Sequence, residues 1–136
     1  MIESVGFRES CDGLDWAELE ALFAAADLDH RKGAKLRRAF ENSGRVCFAY
    51  DGDNRLIGVC RAITDGEYHA IVYDVAVHPD WQGNGLGKVL MQRLLFRLPV
   101  WRVMLIADEE VQGFYRTLGF APYGDAMALL DRERLE

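Results

Sequence analysis

The sequence is short of the features that mark most special environments. No apolar run approaches the roughly 20 residues that a membrane-spanning helix needs, and the N-terminus has neither the basic stretch nor the apolar core of a secretion signal. The three cysteines, Cys11, Cys47 and Cys60, are odd in number and lack metal-ligand spacing, which argues against a disulfide framework and against a metal site. They read as reduced thiols of a cytoplasmic protein, with Cys47 and Cys60 as small core hydrophobes in strand-like runs. Positive charge is also in deficit. The net charge of −6 argues against non-specific nucleic-acid binding and mildly favours a cationic substrate. Repeats, low-complexity segments and linkers are absent, so the 136 residues are expected to form one domain, 1–136, around one core.

What is present is an orderly succession of elements. Residues 4–9 predict a short strand. Asp15 predicts a helix cap with Glu18 in capping-box position, and Trp16, Leu19, Leu22, Phe23 and Ala26 form an apolar stripe at helical spacing. After the polar break Asp27-Leu-Asp-His-Arg, a second amphipathic helix over 32–41 turns Leu36, Ala39 and Phe40 inward, and Asn42-Ser-Gly44 stops it. Strands over 46–50 and 56–63 flank the hairpin composition Asp51-Gly-Asp-Asn, and Thr64-Asp-Gly66 leads into a third strand that ends at Val77. Leu86, Leu90, Leu94 and Leu98 then predict a largely buried helix, halted by Pro99. Residues 100–107 read as a buried strand parallel to the one before that helix. Asp108 caps a last helix closing at Gly119, and 120–123 and 126–130 are expected to complete the sheet. The architecture implied is α/β (α+β), a mixed sheet of about six to seven strands flanked by about four helices.

The most informative stretch runs from Val72 to Lys88. Its strand ends at Pro79, and Gln82-Gly83-Asn84-Gly85-Leu86-Gly87 places three glycines in five positions at the mouth of a helix. Glycine serves where φ is positive or a ligand approaches the backbone, and the free N–H groups of a first helical turn favour phosphate. The P-loop pattern fails because Val89 follows Lys88, and the dinucleotide pattern fails on glycine spacing. Gln82, Gly85 and Gly87 do fill Gln/Arg-x-x-Gly-x-Gly/Ala after Val-x-Pro, which resembles the acetyl-CoA-binding motif of the GNAT N-acetyltransferase superfamily. Gly113-Phe-Tyr-Arg-Thr-Leu-Gly-Phe120 resembles that family's Phe-Tyr-x-x-Leu-Gly-Phe signature, in the expected order. The resemblance covers residues 70–122, and the N-terminal half follows the family only in its order of elements.

That resemblance implies a GNAT fold and a metal-independent acetyl transfer from acetyl-CoA to a primary amine, with a small amine favoured over a protein lysine or N-terminus. A non-catalytic acyl-CoA sensor is the other reading. The residues from Gln82 to Lys88 (Gly83, Asn84, Gly85, Leu86 and Gly87 between them) are implied to hold the pyrophosphate, and Val75, Ala76 and Val77 the pantetheine arm through the backbone of Val75 and Val77. Tyr115 takes the place of the tyrosine that protonates the departing thiolate and also touches the cofactor; its alternative is a core aromatic beside Phe114. A phenol suits the role, with a free pKa of about 10, near that of an alkyl thiol.

The base is less plain. Asp74 is a charge inside an apolar strand, which calls for a reason. Tyr73-Asp74, together with Asp108 seven residues before Tyr115, is similar to the plant serotonin N-acetyltransferase branch, which implies that Asp74 and Asp108 bind or deprotonate the amine. Against this, Asp108 is already accounted for as a helix cap, and Asp74 would be satisfied by a neighbouring arginine. Glu67 and His69 are further candidates, while His30 and His78 carry no specific signal. Homodimers are common in the family, but no stretch here reveals an interface.

Overall fold

The computed structural model describes residues 2–135. Among the described residues nine strands and α-helices follow in order: β1 (Gly6–Arg8), α1 (Trp16–Ala25), α2 (Gly33–Glu41), β2 (Arg45–Tyr50), β3 (Leu56–Thr64), β4 (His69–Val77), α3 (Leu86–Phe96), β5 (Arg102–Met104) and α4 (Glu109–Arg116). The strands form one mixed sheet in the order β1-β2-β3-β4-β5, antiparallel throughout except for the parallel β4–β5 pair. The chain separates into two compact units after Ile106. The first contains the whole sheet and α1–α3; the second contains α4 and the segment beyond it.

In the first unit, alternation along β3 serves two layers. Val59 joins the cluster of Leu19, Leu22 and Phe23 from α1 with Leu36 and Phe40 from α2. Its neighbours face α3: a Cβ on Gly58 would meet Leu90 Cδ1 at 2.7 Å, and the Cys60 thiol donates to the Leu90 carbonyl at 3.5 Å. Helices therefore cover both faces of the meander. Asp15 caps α1 as its position predicts, accepting from the Glu18 N–H at 3.2 Å. Glu18 does not return the bond. Its carboxylate accepts instead from the Leu56 N–H at 2.9 Å, tying α1 to the start of β3.

Several expectations are revised. The sheet has five strands, because residues 120–123 and 126–130 lie outside any strand, with Tyr123, Met127, Leu129 and Leu130 exposed. Pro122 has no N–H to donate and Gly124-Asp125 turns the chain, so apolar composition here is not matched by a pairing ladder. The buried strand expected over 100–107 shrinks to the half-buried Arg102–Met104, since β5 is an edge strand that leaves β4 after a short run. Helix α2 ends not through a glycine cap but through side chains: Asn42 Nδ2 donates to the Arg38 carbonyl and Ser43 Oγ to that of Ala39, each at 2.8 Å. Gly44 answers to packing, for a Cβ there would lie 2.5 Å from Thr64 Cγ2.

Candidate functional site

The loop between β4 and α3 is built to leave backbone exposed. A short 3-10 turn at Pro79–Trp81 is capped by His78, whose Nδ1 accepts from the Asp80 N–H at 3.1 Å. Gly83 and Gly85 then take φ of 82° and 88°, and neither has a heavy atom within 4 Å of where a Cβ would stand. Gly85 is the N-cap of α3 and supplies no side-chain cap, so the first N–H groups of α3 are left for solvent or ligand. Gln82, Gly83, Asn84, Gly85 and Lys88 are exposed and Leu86 is buried under the helix. The open glycine positions and the uncapped helix end fit a diphosphate on geometric grounds. Gln82 has its own task, because its Nε2 donates to the Val77 carbonyl at 3.0 Å and fastens the loop to the strand.

Upstream of the loop, β4 acquires an open edge. Its pairing with β5 covers only His69–Ile71 against Arg102–Met104, whereas β4 continues to Val77. The His78 N–H donates to the Ile57 carbonyl at 2.8 Å, and antiparallel alternation therefore points the backbone groups of Ala76 at β3 and those of Val75 and Val77 away from it. Val75 and Val77, not Ala76, thus turn the main chain to the open side, where the Val77 carbonyl already accepts from Gln82.

The register of β3 and β4 shifts between Val59 and Arg61, with Val59 opposite Ala76 and Arg61 opposite Tyr73. Asp74 lies in this bulge with φ of 59°, an uncommon conformation that aspartate tolerates better than most residues. Its carboxylate is buried between two guanidinium groups. Arg61 Nε donates to Oδ2 at 2.6 Å and Arg31 Nε to Oδ1 at 2.8 Å. Arg61 also donates to Ser43 Oγ at 3.2 Å and lies over the rings of Phe40 and Tyr73. The neighbouring-arginine account of Asp74 is the one the geometry realises, from β3 and from the α1–α2 loop at once. A lone cation in apolar β3 and a lone anion in apolar β4, on either side of one turn, were the signal for Arg61. Nothing in the sequence marked Arg31, within the polar break between α1 and α2, as a partner of Asp74.

The second unit holds Asp108 and Tyr115. Asp108 stands at the N-cap of α4 but its side chain makes no cap bond, so the cap role expected for it is not made. Tyr115 packs edge-on against Phe114 and Phe120, with centroids 5.0 Å and 5.9 Å away. Gly119 takes φ of 95° and closes the helix, as its position predicts. Glu67 and His69 are exposed. Glu67 belongs to the β3–β4 turn held by Asp65, and His69 stacks near Tyr68 and Trp101. A polar cavity of about 690 Å³ lined by Cys11, Trp16, Arg37 and Glu41, among others, includes none of the glycine-loop residues.

Comparison with known proteins matches residues 42–122 to the Acetyltransferase (GNAT) domain. The chain belongs to the GNAT acetyltransferase family. It is 40% identical over 126 residues to serotonin N-acetyltransferase 2, chloroplastic, of Oryza sativa, covering 88% of this chain and 63% of that one. It is 36% identical over 132 residues to GCN5-related N-acetyltransferase 1, chloroplastic, of Arabidopsis thaliana, covering 93% and 67%. The chain thus spans about two thirds of the length of these relatives. A solved structure from Deinococcus radiodurans R1 superposes with a TM-score of 0.83 at 26% identity, covering 99% of this chain and 94% of that one. This GNAT domain has the mixed sheet and four helices of its relatives, and the matched region takes in β2–β5, the glycine loop and α4.

Proposed function

We propose that this GNAT domain transfers an acetyl group from acetyl-CoA directly to a primary amine, with a small amine as acceptor. One observation carries the reading. The open edge of β4 at Val75 and Val77 runs straight into positive-φ glycines and an uncapped helix end, so an extended chain that terminates in a diphosphate has a strand edge for its amides and N–H groups for its phosphates.

In the reaction, the neutral amine nitrogen attacks the thioester carbonyl. The carbon–sulfur bond breaks with its electron pair on sulfur, and water takes the proton that frees the amine from its ammonium form and the second proton that the nitrogen loses after attack. Tyr115 is proposed as the donor to the departing thiolate. Acceptance of the amine is assigned to the α1–α2 loop and Asp74, in keeping with the similarity to a chain named for serotonin acetylation. Asp74 serves there as a cation-recognising group more readily than as a base, because both of its oxygens already accept from guanidinium groups.

That same engagement favours a second reading, in which the domain binds acyl-CoA without turnover. Calorimetric titration with acetyl-CoA, followed by thiol release with a panel of amines, separates the two. Binding with release for one amine class supports the enzyme and names its acceptor. Binding without release favours the sensor, and absence of binding overturns the cofactor site itself.

A further inference from the structure

Asp74 is shared by two cations of unequal commitment. Arg61 is fixed: its side chain is 7% exposed, and it adds to its carboxylate bond a second bond to Ser43 and contacts with two rings. Arg31 has a single side-chain bond, Nε to Oδ1, on a side chain 29% exposed. It sits in the polar break between α1 and α2, with its backbone N–H donating to the Leu28 carbonyl at 3.0 Å. The carboxylate is 6% exposed, so any further cation reaches it by replacing one of these two.

Charge decides what can do so. Baring a buried guanidinium or carboxylate, with its opposite charge removed, is strongly unfavourable. Exchange of Arg31 for another cation leaves the charge of the cluster unchanged, and Arg31 swings to water that it already touches. A neutral or anionic molecule offers no such exchange.

We propose that Arg31 is the group that the acceptor's ammonium displaces from Asp74, which makes Arg31 a specificity-determining residue selecting cationic amines. The inference rests on the proposed amine acetylation. It adds that the free protein carries its own ammonium mimic, held until an acceptor enters.

The exchange can be read without turnover from the arginine Nε–H resonances of the nitrogen-15-labelled chain saturated with coenzyme A, with Arg31 assigned from Arg31→Gln. That variant leaves Asp74 neutralised by Arg61 and is expected to fold. Tryptamine and spermidine are the cationic probes, and indole-3-propionate is the anionic control. At least one amine should move the Arg31 signal to that of a solvent-exposed guanidinium while the Arg61 signal stays; the control should move neither. Arg31→Gln should also lower the KM of the acetylated amine roughly tenfold, because a competing minor-state requirement is removed, and leave the KM for acetyl-CoA unchanged.

An Arg31 signal unmoved by every amine overturns the inference. So does an Arg31→Gln variant with raised amine KM and reduced kcat, which would make the residue a positioning group for the loop. Acetylation with an unmoved Arg31 keeps the proposed function and removes the inference. Displacement without acetylation counts against the proposed function and overturns Arg31 as a selector of acceptors, leaving only a cation-binding site at Asp74.

Discussion

Tyr115 shows how a functional and a packing role meet in one side chain. Its ring is bracketed by Phe114 and Phe120, and those contacts survive removal of the hydroxyl. Tyr115→Phe therefore removes the hydroxyl and keeps the ring contacts. Turnover should fall on the order of 10²-fold, the scale of a lost general acid, with acetyl-CoA affinity retained in calorimetry; equal losses in both would make it a packing residue. A different residue sets an alkaline limit on stability. Burial keeps the Cys47 thiol protonated and pushes it up to about 11 from an ordinary 9.0, with Glu9 adding and Arg93 and Arg97 opposing. The unfolded chain loses this proton from pH 9 upward while the folded chain keeps it to about 11. The contribution is whole below pH 9 and is lost between 9 and 11, at about 1.4 kcal/mol per pH unit. Cys60, buried beside it, is pushed the same way. Urea midpoints from pH 8 to 11 should fall less steeply for Cys47→Ala, and parallel slopes would exonerate the thiol.

Among the elements, the β3–β4 hairpin and the loop that follows have different constraints. The hairpin is held by two side chains: Thr64 Oγ1 accepts from the Gly66 N–H and donates to the His69 carbonyl, and Asp65 Oδ1 accepts from the N–H groups of Glu67, Tyr68 and His69 at 2.7–3.1 Å, which also holds its carboxyl below its usual range. The glycine loop is held by backbone conformation. Gly85→Ala forces an L-residue to φ of 88° and sets a methyl over the open face of the loop. Gly13, at φ of 71° with equally open surroundings, is the matched control. Each alanine should cost about 1–2 kcal/mol in denaturant unfolding. Only Gly85→Ala should also weaken acetyl-CoA, and equal affinities would move the phosphates elsewhere. The bulge at Asp74 was not legible in β4 read alone, because alternation along one strand contains no sign of a register shift against its partner.

At the scale of the molecule, ligand binding and folding are linked. Acetyl-CoA at a hundredfold excess over its Kd should stabilise the native chain by about 2.7 kcal/mol, which raises Tm on the order of 10 °C for a chain of this size. A thermal melt checks this, and an unchanged Tm at that excess would count against cofactor binding. The order of elements up to α4, the glycine loop and the two family motifs were legible in the sequence. They rest on local rules, namely apolar spacing, cap chemistry and the demand of a tight turn for glycine. Arg31 as a second partner of Asp74, the short pairing of β4 with β5 and the missing C-terminal strands were not. Each depends on which groups from distant parts of the chain arrive at the same place, and an aspartate in an apolar strand has the same local signature whether it meets a substrate or two arginines. The sequence alone determined that this chain carries the glycine loop and the paired motifs of the GNAT family. Tertiary structure decided that its unusual aspartate is already occupied, because a charge can be buried only where an opposite charge is brought to it.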